Sequence, residues 1–159
     1  MSSRSGIAYA DASALYARAA SLPGIEAEGI ATHIGSQILD LAPYRAAYAR
    51  LADLVRDLRA RGLRVRTVDC GGGLGIPYRG EAAPSPSGLA GAFKSAFHNL
   101  DVRLALEPGR WIVGPAGVLL ASVVLAKRTE GTRFLVLDAA MNDLVRPAMY
   151  DAWHGIVTP

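Results

Sequence analysis

The stretch Val65–Gly75, VRTVDCGGGLG, runs from alternating β-branched residues directly into four glycines in five positions. Val65, Thr67 and Val68, with Cys70 closing the run, favour an extended and half-buried backbone, and the glycines end it abruptly. Backbone without side chains can approach an anion closely and turn its N–H groups toward it. The run is not a P-loop, because no Gly-Lys-Ser/Thr follows Gly75. It is also a poor dinucleotide fingerprint. Counted from Gly71, the third small position falls on Ile76, and Pro77 stands where a helix should already be running. A tight turn at a sheet rim would explain a lone glycine pair; four glycines in five residues favour phosphate.

Working outward, Asp40 reads as the cap of a long helix with Pro43 in its first turn. Tyr44, Ala47, Tyr48, Leu51, Leu54, Val55 and Leu58 recur at three and four, and Gly62 ends the helix. Before it, EGIATH (Glu28–His33) reads as a short strand. An earlier helix is expected over Asp11–Leu22, capped by Asp11 and stopped by Pro23-Gly24. After the glycines, the Pro/Gly/Ser-rich stretch Ile76–Gly88 is long for a connection inside a domain, as functional loops often are. Ser87 is expected to cap a helix through Phe97, and VRLAL (Val102–Leu106) is a third strand ending at Glu107-Pro108-Gly109-Arg110. This β-α-β-α-β order calls for an α/β fold with parallel strands and helical crossovers.

The texture then changes. GVLLASVVLAK (Gly117–Lys127), a turn at Glu130-Gly131-Thr132 and RFLVLD (Arg133–Asp138) read as a hairpin opening a β-rich second domain near residue 112. Three β/α units fall short of a closed eight-stranded barrel of about 250 residues, so a fragment is expected.

The 159 residues are 51% hydrophobic and 19% charged, with mean hydropathy +0.22, enough to build a core and too apolar for a disordered chain. No apolar run reaches the roughly 18 residues of a membrane span. The longest, around Val113–Ala126, is broken by Gly114, Pro115 and Gly117. The N-terminus lacks the apolar segment of a signal peptide, so the cytoplasm is the expected compartment. The single cysteine, Cys70, excludes an internal disulfide and a Cys-rich zinc centre, and no metal is expected. Net charge is +3, carried by fifteen Arg and two Lys, Lys94 and Lys127. Arg45, Arg50, Arg56, Arg59, Arg61, Arg64 and Arg66 interleave with Asp53 and Asp57, which reads as a solvated helix face. Neither a nucleic-acid nor a membrane partner is expected.

The polar candidates fall after the three strands: His33 and Ser36, then the glycines, then Glu107 and Arg110. In a parallel α/β barrel all such ends open on the face that carries the active site. Individually each has a plain explanation: a rim histidine, a turn serine, a local Glu107–Arg110 ion pair. Together they could also stack on a planar ring, bind phosphate, hold a protonated ring nitrogen and grip an anion.

HIGSQ at 33–37, GGGLGIPY at 71–78, EPGR at 107–110 and DAAMNDLVRPAMYDAWH at 138–154 together resemble the diaminopimelate decarboxylase family. These are pyridoxal-phosphate enzymes of the alanine-racemase-like fold, type III. The first three motifs are shared with related decarboxylases; the NDLVRPAMY segment is the more specific signal. The resemblance implies the C-terminal part of a pyridoxal-phosphate-binding (β/α)8 TIM barrel over 1–111 and the start of a C-terminal β domain over 112–159. It implies that His33 stacks on the cofactor ring, that Ser36, Gly72, Gly73, Gly75 and the backbone at Gly109-Arg110 hold the phosphate, and that Glu107 pairs with the ring nitrogen. Arg110, Arg146 and Tyr150 would bind the distal end of meso-2,6-diaminopimelate, whose decarboxylation gives L-lysine. The intact family member is a homodimer with a shared active site.

The same resemblance puts the Schiff-base lysine and a catalytic cysteine outside these residues, since Lys94, Lys127 and Cys70 match neither position. The isolated chain is therefore expected to be inactive. Ser5 stands where the family has an aromatic, Arg4 keeping only the charge. The alternatives are a decarboxylase of the ornithine/arginine type, against which Arg146 argues, and a non-catalytic remnant that binds pyridoxal phosphate or phosphate.

Overall fold

A computed structural model describes residues 6–157, so the departures at Arg4 and Ser5 lie outside the described residues. The described chain falls into two compact units. The first takes in the chain up to Ile76 and then Ala82–Ile112; the second takes in Pro77–Glu81 and the chain from Val113 onward.

The first unit is α/β. Its elements are α1 (Tyr9–Ser21), β1 (Gly29–Ala31), α2 (Ala42–Ala60), β2 (Thr67–Gly72), α3 (Pro86–Phe97), β3 (Arg103–Glu107) and all but the last residue of α4 (Gly109–Val113). The strands form one parallel sheet in the order β1-β2-β3. The helices α2 and α3 supply the crossovers that parallel strands require.

Helix α2 follows the apolar stripe of its sequence. Tyr44, Tyr48, Leu51, Leu54, Val55 and Leu58 are buried, joined by Ala52, while Ala47 is half-buried. They pack with Val65, Val68, Cys70 and Leu74, and with Leu89, Ala92 and Phe97 from α3. Each large side chain so covered contributes about 1.5–3 kcal/mol of transfer free energy. The helix closes in a Schellman arrangement: Leu63 N–H donates to the Leu58 carbonyl and Gly62 N–H to that of Arg59, with Gly62 at φ +76°.

Several local expectations need correction. Leu41, not Asp40, is the α2 cap residue, although the Asp40 carboxylate accepts from Ala42 N–H at 2.9 Å. Helix α1 starts two residues before Asp11, which therefore lies in the first turn. Ser85, not Ser87, caps α3: its Oγ accepts from Gly88 N–H at 3.1 Å, and Ser87 bonds Ser85 instead. Proline at position 86 explains the shift, because its fixed φ and missing N–H suit the first helical position. Strand β2 runs two residues into the glycines, because Gly72 still pairs with Glu107.

The arginines of α2 and its exit loop are largely spent on the fold. Arg56 pairs with Asp53, Arg61 with Asp57, Arg64 with Glu26 and Arg66 with Glu28. Arg59 donates to the carbonyls of Val65 and Asp101, and Arg50 lies over the Tyr9 ring.

The second unit contains the antiparallel hairpin β4 (Val123–Thr129) and β5 (Thr132–Leu137), then α5 (Arg146–Tyr150). Glu130 and Gly131 form the two-residue turn with φ +38° and +89°, the double positive φ that suits hairpin twist. The strand expected from Gly117 begins only at Val123, since a strand exists where a partner supplies hydrogen bonds, and β5 reaches no further. No helix among the described residues is long and apolar enough to cross a membrane.

Candidate functional site

Parallel pairing carries the ends of β1, β2 and β3 to one edge of the sheet. Ala31 pairs with Asp69, and Gly72 with Glu107, so the segments that follow emerge side by side. The loop after β1 continues the pairing: Ile38 N–H donates to the Gly73 carbonyl at 2.9 Å and Gly75 N–H to the Ile38 carbonyl at 3.1 Å.

This close lacing explains the glycines. A Cβ on Gly71 would collide with the Thr32 carbonyl oxygen, on Gly72 with that of Glu107, and on Gly73 with that of Gly35. At Gly75 the obstruction is Leu39 and the Ile38 carbonyl. Gly73 also holds φ +89°, a conformation side chains resist. Packing alone thus demands these glycines, as the rim-turn alternative supposed, and no anion is needed to explain them. The turn is braced from both sides. Tyr44 Oη donates to the Gly72 carbonyl at 3.1 Å from inside the core, and the Asp69 carboxylate accepts from Gly71 N–H at 2.8 Å. Burial pushes the Tyr44 hydroxyl pKa up, so it remains a donor. Cys70 lies below in the core, where burial, helped by Asp69, pushes its thiol up to about 11.

The charged residues divide into two groups. His33 Nδ1 lies 3.9 Å from Glu107 Oε2, with the two side chains 56% and 61% exposed. So open a pair locks neither partner. Arg110 turns away from Glu107, against the local ion pair considered from sequence: its Nη2 donates to Ser36 Oγ and its Nη1 to Gln37 Oε1, both at 3.0 Å. Ser36, accepting there, keeps its hydroxyl hydrogen to donate, and Arg110 has five N–H donors in all. Gly109 opens α4 with free space where a Cβ would sit.

The first unit thus gathers His33, Ser36, Gly72, Gly73, Gly75, Glu107, Gly109 and Arg110 at one strand-end edge. Gln37, which sequence reasoning passed over, belongs with them. Arg146 and Tyr150 are brought together in the second unit at the two ends of α5, the guanidinium 5.3 Å from the ring centroid. Lys94 is exposed on α3, and Lys127 on β4 lies 5.4 Å from the Phe134 ring. Among the described residues no cluster of His, Cys, Asp and Glu could hold a metal ion.

A phosphorylated pyridine needs an acceptor for its ring N–H, a flat face to stack against, and donors for a dianion. A carboxylate, an imidazole, and a hydroxyl beside a guanidinium meet those needs, so the donor set fits such a group.

Comparison with known proteins agrees with that chemistry. The family model described as the pyridoxal-binding domain of pyridoxal-dependent decarboxylases matches residues 1–114. A diaminopimelate decarboxylase of Zymomonas mobilis is 46% identical over 97% of this chain and 38% of its own length. The solved diaminopimelate decarboxylase of Helicobacter pylori, complexed with L-lysine, superposes with a TM-score of 0.89 at 35% identity, over 97% of this chain and 39% of that one. A lysine/ornithine decarboxylase of Vibrio vulnificus, complexed with cadaverine, gives 0.85 at 26% identity, over 98% and 43%. The chain spans less than two fifths of the length of the Zymomonas relative.

Proposed function

The chain belongs to the pyridoxal-dependent decarboxylases through their pyridoxal-binding domain, and from that premise we propose that it serves a diaminopimelate decarboxylase. The reaction is loss of a carboxylate from meso-2,6-diaminopimelate to give L-lysine. The observation that carries the proposal is the division of one strand-end edge into His33 with Glu107 and Ser36 with Arg110. One group suits an aromatic nitrogen heterocycle and the other an anion. The identity to diaminopimelate decarboxylases supports the choice of substrate.

In this proposal Glu107 would accept a hydrogen bond from the ring N–H and so keep that nitrogen protonated, and His33 would cover the ring. Ser36, Arg110 and the backbone at Gly72 and Gly73 hold the phosphate, and Gly75, whose N–H is spent on the Ile38 carbonyl, keeps the loops close beside it. Pyridoxal phosphate, when bound, supplies an electron sink for the carbanion that decarboxylation leaves at Cα. Arg146 and Tyr150 receive the distal amino-acid end of the substrate. A guanidinium suits its second carboxylate and opposes the terminal ammonium of ornithine, which disfavours the ornithine/arginine alternative.

Residues 1–111 are read as the C-terminal part of a (β/α)8 barrel and 112–159 as the start of a β domain. The covalent lysine and catalytic cysteine are supplied from outside these residues, in a cytoplasmic homodimer.

Two measurements test this. Titration of the chain with pyridoxal phosphate, followed by cofactor fluorescence, should give saturable binding. Glu107→Ala and Arg110→Ala should each weaken it about tenfold, the worth of one charge-assisted hydrogen bond. Unchanged affinity in both would overturn the site. Exchanging these residues for the matching segment of the Zymomonas enzyme should then give a chimera that decarboxylates meso-diaminopimelate in preference to ornithine and lysine. The opposite preference would favour the alternative substrate class, and binding without turnover would favour the non-catalytic remnant.

A further inference from the structure

Gln37 sits in the turn after β1 with φ +57°, a left-handed conformation that a non-glycine residue resists. Its carboxamide pairs with the backbone of Ile76 as a peptide group would: Nε2 donates to the Ile76 carbonyl at 2.5 Å, and Oε1 accepts from Ile76 N–H at 3.3 Å. This extends by side chain the backbone pairing that Ile38 makes with Gly73 and Gly75. The same Oε1 accepts from Arg110 Nη1 at 3.0 Å. An amide oxygen has two lone pairs, and both are used. Flipping the amide would set its NH2 against a guanidinium and an N–H, donor against donor, so only one orientation serves.

Arg110 is therefore held at both terminal nitrogens, Nη1 by Gln37 and Nη2 by Ser36. Neither partner carries charge. A carboxylate in place of Gln37 would hold the guanidinium equally well and cancel its attraction for an anion, whereas an aliphatic side chain would leave it unheld.

We propose that Gln37 is a positioning residue, whose carboxamide ties Arg110 to the exit of the glycine turn and so sets the anion grip of Ser36 and Arg110 before the anion arrives. The anion is a phosphate monoester, and this assignment rests on the function proposed above. The positioning itself rests on the geometry alone.

The test uses the 159-residue chain labelled with ¹⁵N, read by the Arg110 guanidinium signals and Ile76 amide exchange, and then titrated with inorganic phosphate and with pyridoxal phosphate. Gln37→Met keeps the side-chain volume without the hydrogen bonds. It should lose the slowly exchanging Arg110 signals, speed Ile76 exchange about tenfold and weaken phosphate binding by about the same factor. Gln37→Glu should keep the Arg110 signals, weaken phosphate binding at neutral pH and recover it as the introduced carboxyl is protonated. A packing role alone gives no such pH profile. Arg110 signals and phosphate affinity within twofold of wild type in Gln37→Met would overturn the proposal. Should the wild-type chain take up neither anion, the functional assignment fails; loss of the Arg110 signals in Gln37→Met would even then uphold the positioning role, and their persistence would end it.

Discussion

Helix α2 with strand β2, and the hairpin β4–β5, draw on the same apolar residue types and are ordered by different forces. In the first, Tyr48, Val55, Leu58 and Val68 are fully covered. In the second, every residue of β4 is exposed, including Val123, Val124 and Leu125. What differs is the second layer: α2 and α3 both pack on the parallel sheet, whereas the hairpin is held by its ladder and its turn. Lys127 opposite Phe134 adds a cross-strand cation–π contact. Apolar sequence thus marks where a layer can be buried, and the covering element decides whether it is.

Truncation in each region is the strongest way to break that contrast. Leu58 is 0% exposed and Leu125 53%. We expect Leu58→Ala to cost about 3 kcal/mol, from lost transfer energy and the cavity left behind. Leu125→Ala should cost under about 0.5 kcal/mol. Urea denaturation followed by far-UV circular dichroism reads both. Equal losses would show that the hairpin is as deeply packed as the helix and would erase the distinction.

A sharper comparison uses two glycines with the same backbone angle. Gly73 and Gly131 both hold φ +89°. At Gly73 a Cβ would meet the Gly35 carbonyl oxygen, while at Gly131 it would meet open space. Gly131→Ala should therefore cost only the left-handed conformation, about 1 kcal/mol. Gly73→Ala adds the collision and should cost about 2–3 kcal/mol, forcing the loop after β1, which carries Ser36 and Gln37, away from the glycine turn after β2. Binding of pyridoxal phosphate should fall with it. If the two substitutions cost the same, conformation alone explains these glycines and the close approach of the loops is unimportant.

These contrasts also separate what the sequence made legible from what it did not. The α2 stripe and its Gly62 stop could be read because they depend on residues within one helix. The β-α-β-α-β order followed from periodicity in the same way. The cap of α3 was displaced from Ser87 to Ser85, since two serines two residues apart compete and Pro86 decides between them. Strand β4 starts later than its sequence suggests because Val118, Leu119 and Leu120 have strand-like side chains but, among the described residues, no partner strand. At the candidate site, motif and strand-end position singled out His33, Ser36, Glu107 and Arg110. Gln37 stayed hidden for a physical reason: its partners Ile76 and Arg110 lie 39 and 73 residues away. Only the folded register brings them within reach.

The smallest effect concerns Cys70, which separates buried from exposed by pH. Its thiol is 1% exposed, and burial raises its pKa from about 9 to about 11. The folded state thus keeps the proton that the unfolded chain begins to lose near pH 9. Stability from this group is complete below pH 9 and is lost as pH rises toward 11, reaching about 1 kcal/mol by pH 10. Tyr44 and Tyr48, whose hydroxyl pKa values burial also raises, contribute in the alkaline range. Burial, the largest cause of both tyrosine shifts, is common to wild type and Cys70→Ala, so the two stability curves should run parallel to pH 9 and then converge. Curves that stay parallel through pH 10.5 would mean that water reaches Cys70, and that the layer under the glycine turn is looser than the burial of α2 implies.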